Sequence, residues 1–222
     1  MARNLRTVFR HGIERLVPEA AIDAFDIRRR ASHWKRRGVI AIHVPKAAGT
    51  SVQTLLYGRP LGHFRARDIA RIYPELWDRC QTVAVVRDPL TRLRSAWLFA
   101  RDGGTKSMGM RRPSLYRVPE FETFERFVTE WLAQRDLTKL DGVFRPQTLY
   151  LADAAGTVMV DTLLRFEHVS EEVAARPDLF GKGAVLPRIN TTAAVPPPPT
   201  PPEIEGIVRR LYAQDYALLN YP

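Results

Sequence analysis

The chain has 222 residues, a length that suits one domain with a full-sized core. Its 34 Lys and Arg against 24 Asp and Glu give a formal net charge of +10, which points to an anionic partner: nucleic acid, acidic lipid, acidic glycan or a phosphorylated small molecule. No apolar stretch reaches the roughly 20 residues that span a bilayer, no apolar signal-peptide core opens the chain, and the single cysteine, Cys80, excludes an internal disulfide, so a soluble, cytoplasmic protein is expected.

Residues 1–37 carry ten Lys and Arg against four Asp and Glu. They read as a basic arm ahead of a single domain at 38–222. Leu5, Val8, Phe9, Ile13 and Leu16, then Ile22 and Phe25, give it a weak helical period broken at Pro18. The cluster Arg28, Arg29, Arg30, Lys35, Arg36 and Arg37 suits peripheral contact with a membrane surface or a polyanion; a solvated basic face is the alternative.

Gly38 to Val44 is a short β-branched apolar run, the mark of a buried strand, and Pro45 ends it. A glycine-containing turn follows, then a helix from Ser51 to Leu56. Arg67–Tyr73 reads as a short helix stopped by Pro74. Thr82–Val86 is a second buried strand, with Cys80 as a small residue entering it. Arg87-Asp88-Pro89 turns the chain into a helix whose Leu90, Leu93, Trp97 and Leu98 share an apolar face.

Residues 102–119, with Gly103, Gly104, Gly109, Pro113 and Pro119, form a loop, flanked by Arg101, Lys106, Arg111, Arg112 and Arg117. Phe121–Leu132 reads as one amphipathic helix. Val158–Val160 and Thr162–Phe166 read as two strands. Val195–Pro202 is a proline-rich connector. Thr200-Pro201-Pro202-Glu203 has the form of a capping box ahead of a last helix, Glu203–Leu218. Strands alternating with helices predict an α/β fold with a mostly parallel central sheet flanked by helices, and ligands in such sheets bind beyond the C-terminal strand ends.

Two motifs fall at those ends. In His43-Val44-Pro45-Lys46-Ala47-Ala48-Gly49-Thr50-Ser51 small residues let backbone N–H groups approach an anion, the following helix adds its positive end, Thr50 and Ser51 offer hydroxyls and Lys46 a full charge. The order differs from the triphosphatase loop, in which Gly-Lys-[Ser/Thr] closes the motif. In Val85-Val86-Arg87-Asp88-Pro89-Leu90-Thr91-Arg92-Leu93-Arg94-Ser95, Arg87 leaves the strand end and Ser95 lies about two turns into the helix. An arginine fork and a hydroxyl suit a phosphate.

Together the two motifs resemble the superfamily of sulfotransferases that use 3′-phosphoadenosine 5′-phosphosulfate, closest to the carbohydrate branch with heparan sulfate 2-O- and chondroitin 4-O-sulfotransferases and bacterial relatives. The resemblance spans about Val39 to Tyr221. It is extended by Pro146-Gln147-Thr148-x-Tyr150-Leu151, Leu164-Arg165-Phe166-Glu167 and Leu186-Pro187-x-x-Asn190. It implies a P-loop-like sulfotransferase fold in which Lys46, Ala47, Ala48, Gly49, Thr50 and Ser51 hold the 5′-phosphosulfate side of the donor, while Arg87 and Ser95 hold the 3′-phosphate. It also implies transfer to a hydroxyl of a carbohydrate or glycolipid without a metal. Ala47 stands where the family usually has threonine.

Such a transfer needs a base at the acceptor hydroxyl, and five histidines are available. His63, between the motifs in Gly62-His63-Phe64, resembles the family's catalytic histidine and is the candidate. His43 is expected to shape the loop from beneath and His168 to cap a helix; His11 and His33 sit in the basic arm. Asp68 and Glu167 are the alternative bases. Lys46 is the candidate for the charge on the leaving oxygen. Two other classes remain open: a nucleotide-dependent small-molecule kinase and a basic polyanion-binding module, the latter without the zinc or RNA-binding motifs of specific nucleic-acid recognition.

Overall fold

The computed structural model describes residues 19–105, 109–110, 112–187, 189 and 199–222. His11, Lys106, Arg111, Asn190 and the first part of the proline-rich connector lie outside the described residues. Three strands, β1 (Val39–Ile42), β2 (Gln81–Val86) and β3 (Thr162–Arg165), form one parallel sheet in the order β1-β2-β3. β1 is buried throughout and β2 from its second residue on, as expected for β-branched runs covered on both faces. Ile42 lies opposite Ala84, and Val86 opposite Arg165. All three chains therefore leave the sheet at the same edge.

α1 (Glu19–Arg37) precedes β1 and ends at Gly38, whose positive φ of 69° lets its N–H close on the Trp34 carbonyl at 2.8 Å. The helix is less of a free arm than its charge indicates. Ile27 and Trp34 are fully buried in the same core as Ile40, Val83 and Val85. Arg30 and Arg37 donate to the Leu61 and Leu179 carbonyls, which leaves Arg28, Arg29, Lys35 and Arg36 on the outer face.

Between β1 and β2 the chain forms α2 (Gly49–Tyr57), α3 (Ala66–Ile72) and α4 (Pro74–Arg79). α5 (Pro89–Arg101) follows β2; Asp88 caps it by accepting from the Thr91 N–H at 2.8 Å, and Pro89 takes the first turn. The inner face of α5 packs Leu93, Ala96 and Trp97 into a second, aromatic core with Tyr116, Phe121, Phe127, Trp131 and Phe144.

Three local expectations are corrected. Phe121–Leu132 is not one α-helix: a 3-10 turn at Pro119–Phe121 leads into α6 (Phe124–Arg126), and Phe127–Leu132 is a π-helix. The aromatic side chains crowd one cluster, and the widened turn accommodates them. Val158–Val160 is no strand; Val158 makes an isolated bridge to Ala152 after the short α7 (Thr148–Leu151). Thr200 caps nothing. Pro201 is the N-cap without a side-chain bond, and the Thr200 hydroxyl instead accepts from Arg94 at 2.7 Å. After β3 come α8 (Val169–Ala174), α9 (Pro177–Phe180), α10 (Pro202–Leu211) and α11 (Ala213–Leu218). Among the described residues no helix is long and apolar enough to cross a membrane.

Candidate functional site

The loop after β1 holds two non-glycine residues in the left-handed region, Lys46 at φ 67° and Ala48 at φ 59°. This costs on the order of 1 kcal/mol per residue. It turns the chain sharply enough for Gly49 to begin α2 directly above the sheet edge. The Ser51 N–H already bonds to the Ala48 carbonyl at 3.0 Å, which leaves the Gly49 and Thr50 N–H groups at the positive end of α2 without an intrahelical acceptor. Ala47 is fully buried and its N–H bonds to the Val44 carbonyl at 3.4 Å, so its methyl packs into the core. Thr50 is half-buried and Ser51 buried beside it.

The Lys46 ammonium lies 4.3 Å from the centre of the Phe99 ring on α5. Burial, reinforced by the neighbouring Arg87, pulls its pKa down to about 8. Arg87 leaves β2 and donates through Nη1 to the Lys46 carbonyl at 3.4 Å. The two motifs, 41 residues apart in the chain, thus meet. The Arg87 guanidinium lies 4.1 Å from the centre of the Phe166 ring, at the end of β3. Burial lowers its pKa, while Glu167 and Asp88 oppose the shift.

The backbone of Arg87 is clamped by a side chain. Gln147, fully buried, accepts from the Arg87 N–H at 3.0 Å and donates to the Arg87 carbonyl at 2.7 Å. Gln147 is held in turn by Asp215 of α11, which accepts from the N–H groups of Gln147 and Thr148 and from the Thr148 hydroxyl. Glu167 accepts from the Asp88 N–H at 3.0 Å and from Tyr221 at 3.1 Å. The outlying sequence matches around Gln147 and Phe166 therefore converge on Arg87. Ser95 is half-buried in the second turn of α5, and its hydroxyl makes no hydrogen bond to another described residue.

His63 lies on the other side of the loop. Its Nδ1 is 3.2 Å from the His43 carbonyl and its ring is 3.9 Å from the His43 ring, tilted by 38°. The carbonyl can only accept, so Nδ1 carries the proton and Nε2 the lone pair. The residue is exposed at the surface, with one face of its ring against His43. This partial burial lowers its pKa, and the bond to the His43 carbonyl opposes it in part. The segment carrying His63 is tied to the sheet by Gln53 of α2. Its amide donates to the Ala41 and Gly62 carbonyls and accepts from the Leu61 and Gly62 N–H groups.

A cleft of about 770 Å³ opens in front of His63, and Pro45 and Phe99 join it to the loop. The buried rings of Tyr116, Trp131 and Tyr150 border it, and Arg65, Arg112 and Arg145 supply charge. Asp68 pairs with Arg71 at 3.6 Å and lines a separate hollow, so it does not share the His63 cleft. Glu167 is committed beside Arg87. His168 is the N-cap of α8 but makes no capping bond through its side chain, contrary to expectation; it lies 3.8 Å from Glu171.

Sequence reasoning assigned no role to Phe99, Gln53, Gln147 or Phe166. Gln147 and Phe166 lay inside matched segments. Phe99 and Gln53 had no signal beyond helical periodicity. Among the described residues no three His, Cys, Asp or Glu side chains converge as a metal site. No family model, curated protein or solved structure matches the chain.

Proposed function

We propose that this protein is a sulfotransferase of P-loop-like fold that moves a sulfuryl group from 3′-phosphoadenosine 5′-phosphosulfate to a hydroxyl of a carbohydrate or glycolipid. One observation carries the reading. Two separate cationic motifs, read from the sequence as grips for the two ends of one donor, stand side by side, with Arg87 bonded to the Lys46 carbonyl at the shared sheet edge. A donor with anionic groups at its 5′ and 3′ ends needs two grips within one molecule's length.

The residues present fit that donor. Orphan N–H groups at the start of α2, with Thr50 and Ser51, suit the 5′ side. Arg87, its backbone immobilised by Gln147 and its guanidinium resting on Phe166, suits the 3′-phosphate, with Ser95 available two turns along α5. The buried methyl of Ala47 leaves this arrangement of backbone donors in place.

The donor brings its own activated sulfuryl group. The chain positions the ends and stabilises charge. Lys46 supplies a cation where negative charge grows on the leaving side, in a partly desolvated position where a charge acts strongly. His63, with Nδ1–H tied to a carbonyl, turns a basic Nε2 toward the acceptor hydroxyl and takes its proton. The cleft beside His63 has cations for the acidic groups of a glycan.

Incubation with labelled donor and a panel of glycans and glycolipids, read by mass spectrometry for an added sulfuryl group, tests the proposal. Thermal shifts with 3′-phosphoadenosine 5′-phosphate and with ATP and magnesium separate it from a kinase. A larger shift with ATP, and no sulfated product, would sink it.

A further inference from the structure

His43 belongs to neither of the roles just assigned, yet its ring is wedged between them. It is 4% exposed, and its Nδ1 is buried without a geometrically sound hydrogen bond among the described residues, the Gln53 amide only favouring the charged ring in part against burial. An unpaired buried polar atom costs about 1–3 kcal/mol, and an apolar side chain at the end of β1 would avoid that cost. On one side the ring touches the start of the donor loop's helix so closely that a Cβ at Gly49 would sit 2.0 Å from His43 Cδ2. On the other, it lies 3.9 Å from the His63 ring. The backbone of the same residue accepts the His63 Nδ1–H.

We infer that His43 is a positioning residue that couples the donor loop to the base, its ring serving as the plate on which His63 rests and its carbonyl fixing the His63 tautomer. The catalytic consequence rests on the sulfotransfer reading; the coupling itself does not. Gly49 sets how far the plate can lean toward the loop, and the tilt of the plate sets where His63 Nε2 points. Anything that moves the start of α2 therefore reaches the base through one ring. The plate covers one face of the His63 ring, and burial disfavours the charged imidazolium. The charged groups that share the cleft with His63 are Asp23 of α1, Arg65, Arg112, Arg135, Lys139, Asp141 and Arg145. They are untouched by changes at His43, so a difference between variants reports the plate.

The test uses the full chain and follows the His63 Cε1–H resonance against pH, assigned by its loss in His63→Gln. Three variants are compared after circular dichroism has checked folding. His43→Phe keeps a flat plate and should leave both the ring-current shift of His63 and its titration near the parent values. His43→Leu keeps apolar volume without the flat face, so the His63 midpoint should rise toward the ordinary value of about 6.5. Gly49→Ala pushes the same ring from the other side and should disturb the resonance without altering residue 43. If sulfuryl transfer is measurable, the acid limb of turnover should rise with the midpoint in His43→Leu, lowering kcat at pH 6 by up to about fourfold with KM little changed. A merely structural residue would lower the whole profile without moving it. An unchanged His63 titration in both His43→Leu and Gly49→Ala overturns the coupling, as does a Phe variant that behaves like Leu. Should His43→Leu fail to fold, Gly49→Ala and His43→Phe decide alone. The expected titrations in a chain that transfers no sulfuryl group would uphold the coupling and remove the proposed activity.

Discussion

Lys46 and His63 must be in opposite protonation states for the proposed transfer: the lysine charged, the imidazole neutral. Burial lowers both pKa values, the lysine to about 8 and the histidine below its ordinary value. The neutral histidine is lost as pH falls through its lowered pKa, and the charged lysine is lost as pH rises through about 8. The pH profile of kcat/KM should be a bell with its alkaline limb near 8. Bound donor adds negative charge beside Lys46, so the same limb should move up in kcat. Lys46→Ala should remove the alkaline limb and lower kcat by about 10²–10³-fold; rates within threefold of the parent would deny the lysine its role. Arg87→Ala acts on binding instead. Losing a charge-assisted grip of about 1.5–3 kcal/mol should weaken 3′-phosphoadenosine 5′-phosphate by about ten- to a hundredfold in calorimetry. Arg87→Lys should not restore it, because the fork and its stack on Phe166 go together.

The sheet edge is as much a product of segments far along the chain as of the two motifs. Gln147 fills both backbone bonds of Arg87, and Asp215 of α11 fixes Gln147. Gln147→Ala should leave those backbone groups unpaired. The expected cost is about 2 kcal/mol, or a melting temperature lower by about 4–8 °C, together with weaker donor binding. An unchanged melt with unchanged affinity would mean that water replaces the amide fully. Such links explain what could be read in advance. β1, β2 and the helices after them were legible because each is a short β-branched run followed by glycine or proline punctuation. The breaks in Phe121–Leu132 were not, because the period of its apolar residues fits an α-helix, and crowding of rings from Tyr116 and Phe144, outside the segment, decides the local winding. Thr200 was misread for a related reason. The capping pattern is local, but Arg94, on a helix a hundred residues earlier, claims the hydroxyl. Lys46 and Arg87 could be named from sequence. His43 beneath the loop was also readable, from its place just before Pro45, and its ring does lie against Gly49; that it also meets the His63 ring was not, since ring contacts at 3.9 Å have no sequence period.

At the scale of the whole molecule, charge and packing give opposite accounts of residues 19–37. Their basic residues mark them as an appendage; Ile27 and Trp34, each at most 1% exposed, place them in the core that supports β1 and β2. Packing decides, because an exposed lysine or arginine contributes little to folding, whereas emptying a site the size of a tryptophan costs about 3–5 kcal/mol. That is a large share of the roughly 5–15 kcal/mol that holds a domain together. A chain beginning at residue 38 should therefore lose its cooperative thermal transition and its affinity for 3′-phosphoadenosine 5′-phosphate together. Trp34→Ala should lower the melting temperature by about 6–20 °C, from 2–4 °C for each kcal/mol in a domain of this size. Trp34→Phe should cost less, since the indole Nε1 is buried without a partner. Reversing Arg28, Arg29, Lys35 and Arg36 to Glu on the outer face should leave the melt within a few degrees while abolishing any binding to anionic vesicles. A sharp melt and retained donor affinity in the chain starting at residue 38 would show instead that the sheet holds its own core and that α1 only rests against it.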